Sequence, residues 1–208
     1  EGNEDSLLID AGSTTTDIIR LEAGKPRATG RTDTERLKNG ELVYTGVRRT
    51  PVCALLEEAD LGGQACPLAA EHFATTLDAW LLLEEINEDP ACLATADGRP
   101  ATRRMAQDRL ARMLCMDPQE LDEEDALSLA RQIARAQENK VCRAIGKVIE
   151  KGKPGGAFIS GEGEFLALRA LQSLGLEEDL VTPMSRICDP AGSGAACAFA
   201  LAQLATES

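Results

Sequence analysis

The sequence is poor in aromatic residues and in histidine, and it lacks any long apolar run. Aromatic residues make up 3% of its 208 residues, and it has one Trp, one Tyr and one His. A single His, together with the lack of any Cys-x-x-Cys pair, excludes the usual Cys/His zinc patterns. No stretch of about 18 apolar residues occurs, so we predict neither a membrane-spanning helix nor a membrane partner.

The charge balance is strongly acidic. Asp and Glu number 35 against 22 Lys and Arg, which gives a formal net charge of −13. A surface of this sign repels the phosphate backbone, and we therefore predict no nucleic-acid partner. An anionic ligand of this protein would need local basic groups, backbone N–H groups or a metal ion to hold it.

The seven cysteines are scattered along the chain, and their number is odd. This distribution predicts reduced thiols and a cytoplasmic protein. The acidic first five residues do not resemble the basic start of a signal peptide. The chain also begins without Met, so we expect its natural start to lie upstream.

The strongest local motif lies in residues 7–19, which read LLIDAGSTTTDII. A short apolar run ends at Asp10, small hydroxyl-bearing residues follow, and strand character resumes around Asp17. We interpret the segment as a β-hairpin, with Asp10 placed to hold Mg²⁺. The alternative is an ordinary hairpin with a threonine-rich turn. The predicted phosphate-binding residues, which would act through backbone N–H groups, are Gly12, Ser13, Thr14 and Thr15.

A second glycine-rich turn follows an apolar strand later in the chain. Its predicted phosphate-binding residues are Ser160, Gly161, Glu162 and Gly163, and a helix follows at once. Two glycines beside a helix N-terminus suit a phosphate or a nucleotide. The alternative is a plain tight turn that requires small residues.

A third cluster combines hydroxyl and guanidinium groups. Its predicted substrate-binding residues are Tyr44, Thr45, Gly46, Arg48 and Arg49. The guanidinium fork suits a diphosphate or a substrate carboxylate, and paired arginines are notable in so acidic a chain. Surface ion pairing is the alternative reading for either arginine.

The order of the predicted elements indicates an α/β fold. Residues 1–44 hold the hairpin and a short helix that Thr32 or Asp33 caps and Gly40 ends. Residues 45–120 form an inserted subdomain, and residues 121–208 alternate helix and strand. The longest helix is predicted over residues 122–151, and the last over residues 189–204. We expect a mixed, partly parallel sheet flanked by helices, with the glycine-rich turns at its strand ends.

Four segments carry a family resemblance. They are residues 10–17, 30–53, 73–78 and 95–100, which include Phe73-Ala-Thr-Thr-Leu-Asp78 and Asp97-Gly98-Arg99. Together they resemble hydantoinase A/oxoprolinase-like proteins of the actin/Hsp70/sugar-kinase (ASKHA) superfamily. They are most similar to a subgroup linked to tetrahydromethanopterin-dependent one-carbon metabolism and methanofuran biosynthesis. The resemblance implies an actin-like (ribonuclease H-like) lobe, and we expect the family's N-terminal lobe to be missing from this sequence.

The resemblance also implies a transferase. Such an enzyme joins an aminomethylfuran-methyl diphosphate to the phenol of γ-glutamyltyramine and releases diphosphate. Asp10 and Asp17 would hold Mg²⁺ and act in catalysis. Asp33 or Glu35 would accept the phenol proton or bind the furan amine, and Arg48 or Arg49 would receive the glutamyl carboxylate.

Two other functions stay open at this point. The wider family suggests an ATP-dependent hydantoinase- or oxoprolinase-like hydrolase, or a small-molecule kinase, with ATP between the two glycine-rich turns. If the first lobe is truly missing, the chain is instead a non-catalytic fragment. In each catalytic case the partners are small-molecule substrates, and a homo-oligomer is compatible with the sequence.

Overall fold

A computed structural model describes residues 5–152, 154–188 and 193–194. The chain divides into two compact units. The first comprises the described residues of Glu1–Gly46 and Glu138–Ser208, and the second is Val47–Gln137. The last predicted helix lies outside the described residues apart from Ser193 and Gly194. None of the helices in the described ranges combines the length and the apolar character needed to cross a membrane.

The regular elements follow one another in mixed order. The strands are β1 (Ser6–Ala11), β2 (Thr16–Glu22), β3 (Lys25–Pro26), β4 (Leu42–Val43), β5 (Glu58–Leu61), β6 (Gln64–Pro67), β7 (Gly156–Ser160) and β8 (Val181–Pro183). The helices are α1 (Asp33–Asn39), α2 (Thr76–Leu82), α3 (Arg103–Met113), α4 (Glu123–Val148) and α5 (Glu164–Ser173). Short 3₁₀ turns cover Val52–Ala54, Ile149–Lys151, Glu178–Leu180 and Met184–Arg186.

The first unit is built on a mixed sheet with the order β3-β2-β1-β7-β8, and β4 pairs with the start of β2. β1 and β2 form the antiparallel hairpin, whereas β1 and β7, like β7 and β8, run parallel. This confirms the predicted α/β class with a mixed sheet. The predicted actin-like identity of the lobe stays a prediction.

The register of these strands decides which side chains lie on each face of the sheet. Leu7, Ile9 and Ala11 of β1 are buried, and the residues between them are partly exposed. Leu7 lines an apolar cavity of about 240 Å³ together with Ile145 of α4 and Leu171 of α5. One face of the sheet therefore packs on helices. Asp10, which alternates with the buried residues, lies on the other face.

Local sequence signals determine where α1 begins and ends. Thr32 and Glu35 form a capping box, in which each side chain accepts a hydrogen bond from the other residue's backbone N–H. Gly40 ends the helix in the left-handed conformation, with φ of 79°. A Cβ at Gly40 would lie 2.8 Å from the carbonyl oxygen of Ala144, so the position also requires glycine for space. The predicted short helix is confirmed, and of the two predicted caps Thr32 is the one that the structure shows.

The second unit has its own core. It contains the β5–β6 hairpin, helices α2 and α3 and the first part of α4. Trp80 is 1% exposed, and its indole N–H donates to the side-chain oxygen of Gln137 at 2.8 Å. α4 agrees closely with the predicted helix over residues 122–151, because its apolar stripe has helical spacing.

Candidate functional site

Asp10 is the central carboxylate of the candidate site. It is the penultimate residue of β1, opposite Asp17 of β2 and Ser160 of β7. The Ser160 hydroxyl donates to its Oδ1 at 2.9 Å, and among the described residues no Lys or Arg pairs with it. Burial raises the pKa of Asp10, the Ser160 hydrogen bond opposes this, and the nearby Asp17 charge raises it further. Asp10 is therefore a carboxylate that a cation would stabilise.

The turn after Asp10 presents unused backbone donors. The N–H of Gly12 donates to the carbonyl of Thr15 at 2.9 Å and closes the turn. The N–H groups of Ser13, Thr14 and Thr15 donate to no acceptor within the part of the chain that the structure describes. Successive N–H groups of this kind form an anion-binding concavity. The three residues are half-buried, so a small anion can reach them.

Residues 45 and 46 support this turn from one side. The buried Thr16 hydroxyl donates to the Thr45 carbonyl at 2.9 Å. A Cβ at Gly46 would lie 2.3 Å from the Thr14 nitrogen and 2.5 Å from the Gly12 oxygen, so Gly46 packs directly on the turn. A Cβ at Gly12 would meet only the Thr15 oxygen, at 3.5 Å. The fold therefore requires glycine at position 46 but has room for a side chain at position 12.

The second glycine-rich turn lies beside Asp10, and part of it is already used. The N–H of Gly161 donates to Ser193, and that of Gly163 donates to the Ala11 carbonyl at 2.8 Å. Gly161 has φ of 93°, and a Cβ there would lie 2.4 Å from the Ala11 oxygen. The Gly163 bond holds the turn against β1, and both N–H groups already have acceptors in the protein. The role of this turn in phosphate binding stays a prediction.

Glu164, the first residue of α5, ties together three segments of the first unit. Its carboxylate accepts hydrogen bonds from the Ser185 N–H at 2.9 Å and from the hydroxyls of Ser185 and Ser193, both at 2.5 Å. An acidic side chain in the first helical turn also suits the helix dipole. The sequence indicates the helix start, but no local signal identifies serines 21 and 29 residues away as partners.

Asp17 is held by an arginine of α1. The Arg36 guanidinium forms an ion pair with Asp17 Oδ1 and lies 3.5 Å from the Glu41 carbonyl oxygen. Glu41 is 4% exposed, and its carboxylate accepts bonds from the N–H groups of Thr29 and Gly30. Burial favours a raised pKa for Glu41, but these hydrogen bonds and the Arg36 charge lower it overall. Glu41 is not among the residues that the sequence predicted for the site.

The two predicted general bases lie on α1. Glu35 accepts bonds from the N–H groups of Arg31 and Thr32, and these bonds lower its pKa. The Asp33 side chain is 82% exposed and lies 3.7 Å from the Arg36 guanidinium. Glu35 is thus committed to the helix cap, and a role for either carboxylate in proton transfer stays a prediction.

The predicted substrate-binding residues fall into two sets. Tyr44 belongs to the first unit and is 65% exposed. Arg48 and Arg49 belong to the second unit, where Arg48 is half-buried and Arg49 is exposed. Contact of either arginine with a ligand at Asp10 stays a prediction.

The donors near Asp10 fit a hard cation such as Mg²⁺, which prefers carboxylate and water oxygens. Across residues 5–152, 154–188 and 193–194, no group of three or more His, Cys, Asp or Glu side chains could hold a metal ion. A cation at Asp10 would therefore need ligands from water and from a bound anion. Mg²⁺ is commonly held in this way, by one or two carboxylates together with substrate phosphates.

The family is defined by comparison of the whole sequence. The hydantoinase/oxoprolinase family model matches residues 1–207, and the chain belongs to that family. The resemblance seen in the motifs is thereby confirmed.

Two relatives share a more particular name. A protein of Methanococcus vannielii, 34% identical over 172 residues, is a (4-{4-[2-(gamma-L-glutamylamino)ethyl]phenoxymethyl}furan-2-yl)methanamine synthase. The match covers 83% of this chain and 77% of that protein. A synthase of the same name from Methanocaldococcus jannaschii is 30% identical over 186 residues, which are 85% of this chain and 56% of that protein. The chain thus spans little more than half the length of the second relative.

Proposed function

We propose that this chain carries the diphosphate-binding part of a synthase that makes a phenoxymethyl-furan methanamine. The reaction joins an aminomethylfuran-methyl diphosphate to the phenol oxygen of γ-glutamyltyramine. The carbon–oxygen bond to diphosphate breaks, the ether bond forms, and the phenol proton is released. The observation that carries the proposal is the likeness to two synthases of this name, one of them matched over 77% of its length.

The chemistry of the named product supports this reaction class. A phenoxymethyl-furan contains an ether between a phenol oxygen and the methylene carbon of a furan. Making that ether from a phenol requires a leaving group on the methylene carbon, and diphosphate is a good one when its developing charge is stabilised. The enzyme therefore has to bind a diphosphate and neutralise it.

The residues around Asp10 suit this task. The unused N–H groups of Ser13, Thr14 and Thr15 would hold the diphosphate oxygens. Asp10 would hold Mg²⁺, which neutralises charge on the leaving group when it is bound. The Ser160 hydroxyl fixes the orientation of the Asp10 carboxylate at 2.9 Å.

The contacts to the acceptor substrate, γ-glutamyltyramine, are proposed from the sequence. Asp33 or Glu35 would take the phenol proton, with Asp33 favoured because its carboxylate is exposed while Glu35 caps α1. Arg48 or Arg49 would bind the glutamyl carboxylate, since the guanidinium fork matches a carboxylate. Tyr44, exposed beside the turn support at Thr45 and Gly46, would contact an aromatic ring.

Isothermal titration with diphosphate in the presence of Mg²⁺ tests the site. We expect micromolar binding to the wild-type chain and a loss of at least about 30-fold in Asp10→Asn, because a carboxylate–metal contact is removed. Gly12→Ala should fold normally and also lose binding, since its Cβ has room in the protein but would enter the anion site. Asp179→Asn, at an exposed residue of the same unit, is the matched control.

The same titration with a non-hydrolysable ATP analogue separates the alternatives. We expect weak or no binding of the analogue. Micromolar analogue binding that depends on Asp10 would replace the transferase by an ATP-dependent hydrolase or kinase. No binding of either ligand by a folded wild-type chain would contradict a diphosphate site in this chain, as for a non-catalytic fragment.

A further inference from the structure

Arg36 is held in place by a loop that requires glycine at position 30. A Cβ at Gly30 would lie 2.6 Å from the Arg36 nitrogen and 2.8 Å from its Cγ, so only glycine leaves room for the arginine stem. Glu41 fixes the same loop, because its buried carboxylate accepts the Gly30 N–H at 2.7 Å and the Thr29 hydroxyl at 2.8 Å. The Glu41 N–H in turn donates to the Arg36 carbonyl at 2.9 Å.

This arrangement points the guanidinium at one particular carboxylate. Arg36 pairs with Asp17, which lies directly opposite Asp10 in the β1–β2 ladder. Both partners are partly shielded, with the Arg36 side chain 24% and the Asp17 side chain 29% exposed. Of the two facing carboxylates, Asp17 is therefore already neutralised by the protein, whereas Asp10 has a single hydroxyl partner among the described residues.

We infer that Arg36 is a positioning residue that withholds Asp17 from the metal, so that Asp10 alone holds Mg²⁺ and the cation binds well only together with diphosphate. This inference rests on the proposed function. With one protein carboxylate, the cation must complete its ligands with water or with phosphate oxygens. Mg²⁺ and diphosphate should then strengthen each other's binding, and by linkage the effect is equal in both directions.

The distinctive prediction concerns this coupling. In the wild-type chain, Mg²⁺ should tighten diphosphate binding at least about tenfold, within the range usual for coupled sites. Arg36→Met frees Asp17 as a second carboxylate. Mg²⁺ alone should then bind about fivefold more tightly, while diphosphate binding weakens because one negative charge is left unpaired beside it.

Titrations of each ligand with and without the other measure the coupling, and Mn²⁺ bound in place of Mg²⁺ can be counted by its paramagnetic signal. Arg27→Met is the matched control. It removes an arginine from an exposed ion pair of the same unit, with Glu22 at 3.1 Å, and should leave the coupling unchanged. Arg36→Lys keeps a cation and should retain most of the coupling.

Asp17→Asn tests whether Asp17 is a metal ligand, even if Arg36→Met does not fold. We expect this variant to keep Mg²⁺-dependent diphosphate binding within about threefold, because in our inference Asp17 is not a metal ligand. A loss as large as that of Asp10→Asn would overturn the inference, and so would unchanged coupling in a folded Arg36→Met. If the wild-type chain binds no diphosphate at all, the proposed function fails, and this inference fails with it.

Discussion

The two units each contain a cluster of acidic and basic side chains, and the clusters differ in whether every carboxylate is paired with an arginine. In the second unit, the fully buried Arg109 bonds Asp78 at 2.7 Å and Asp97 at 3.1 Å. Arg99 bonds Asp97 and Asp108 at 2.7 and 2.9 Å. In the first unit, Asp10 has one hydroxyl partner and a half-exposed position.

This difference separates a structural cluster from a candidate binding site. The Arg109 cluster joins the start of α2, residues 95–99 and α3 by internal hydrogen bonds, and its carboxylates pair with arginines of the same unit. Two of its buried atoms, Arg109 Nη2 and Asp108 Oδ1, have no hydrogen-bond partner in the described chain. In the described chain, the Asp10 site keeps a carboxylate that pairs with no cation and several N–H groups that donate to no acceptor. A phosphate bound together with a metal ion needs N–H donors for its oxygens and a carboxylate for the metal. The Asp10 site offers both.

The largest effect should come from breaking the buried cluster. Arg109→Met leaves Asp78 and Asp97 without their shared cation inside the second unit, and breaking such a pair typically destabilises by about 3–5 kcal/mol. Urea unfolding measures the change. Arg112→Met is the control, because that side chain is 52% exposed and lies 4.0 Å from Asp97. A loss below about 1 kcal/mol for Arg109→Met would show that the cluster is not structural.

The next-largest effect is expected at two glycines of the first unit. Substituting each one separates a role in packing from a role in ligand binding. Gly46→Ala forces a Cβ to within 2.3 Å of the Thr14 nitrogen, and overpacking of this kind costs about 1–3 kcal/mol. Gly12→Ala places its Cβ in ordinary contact, so its free energy of unfolding should stay within about 0.5 kcal/mol of wild type. If thermal unfolding shows equal losses of stability for Gly12→Ala and Gly46→Ala, our proposal that Gly12 faces the ligand is contradicted.

A third prediction concerns pH. Burial raises the pKa of Asp78 to about 6, although the Arg109 charge and the Thr75 N–H oppose the shift. The folded state thus binds the proton more tightly than the unfolded state, so this group's contribution to stability is lost as pH rises through 6. From pH 7 to pH 5, Asp78 should add about 1 kcal/mol of stability.

Asp78→Asn removes this contribution, so its stability should change less than that of wild type between pH 7 and pH 5. Urea unfolding at both values gives the comparison. Asp97, whose pKa is lowered because bonds to Arg99 and the Arg109 charge outweigh burial, loses stabilisation only at lower pH. Identical slopes in wild type and variant would mean that Asp78 stays ionised throughout this range.

Features of the fold that depend on neighbouring residues could be predicted from the sequence. The β1–β2 hairpin follows from an apolar run, a small-residue turn and a second run. The bounds of α1 follow from Thr32, Glu35 and Gly40, which act within one or two helical turns. The same local signals indicated the Asp10 turn, since all of its residues lie within one hairpin.

Contacts between distant segments could not be predicted in this way. The Ser160 hydroxyl is 150 residues from Asp10, and only the parallel pairing of β1 with β7 brings them together. Arg36 reaches Asp17 because Gly30 and Glu41 shape the loop between them, and no spacing rule encodes that path. The buried pair of Arg109 and Asp78 likewise depends on how α2 packs on α3.

The smallest predicted effect is that of removing the Ser160 hydroxyl, and it tests whether Ser160 acts on ligand binding through Asp10. Its hydrogen bond lowers the pKa of Asp10, so Ser160→Ala should raise that pKa further and leave less carboxylate to hold the cation. Loss of one such bond is worth about 0.5–1.5 kcal/mol, or about two- to tenfold in Mg²⁺-dependent diphosphate binding.

The pH dependence of this loss identifies its cause. Titrations at pH 5 and pH 8 should show the larger loss at pH 5, because a further rise in the pKa of Asp10 removes more carboxylate at the lower pH. Ser173→Ala, which removes an exposed hydroxyl bonded to Glu138 in the same unit, should change binding at neither pH. An equal loss at both values would mean that the Ser160 hydroxyl contacts the ligand itself, and the site would then include the end of β7 as a direct binding element.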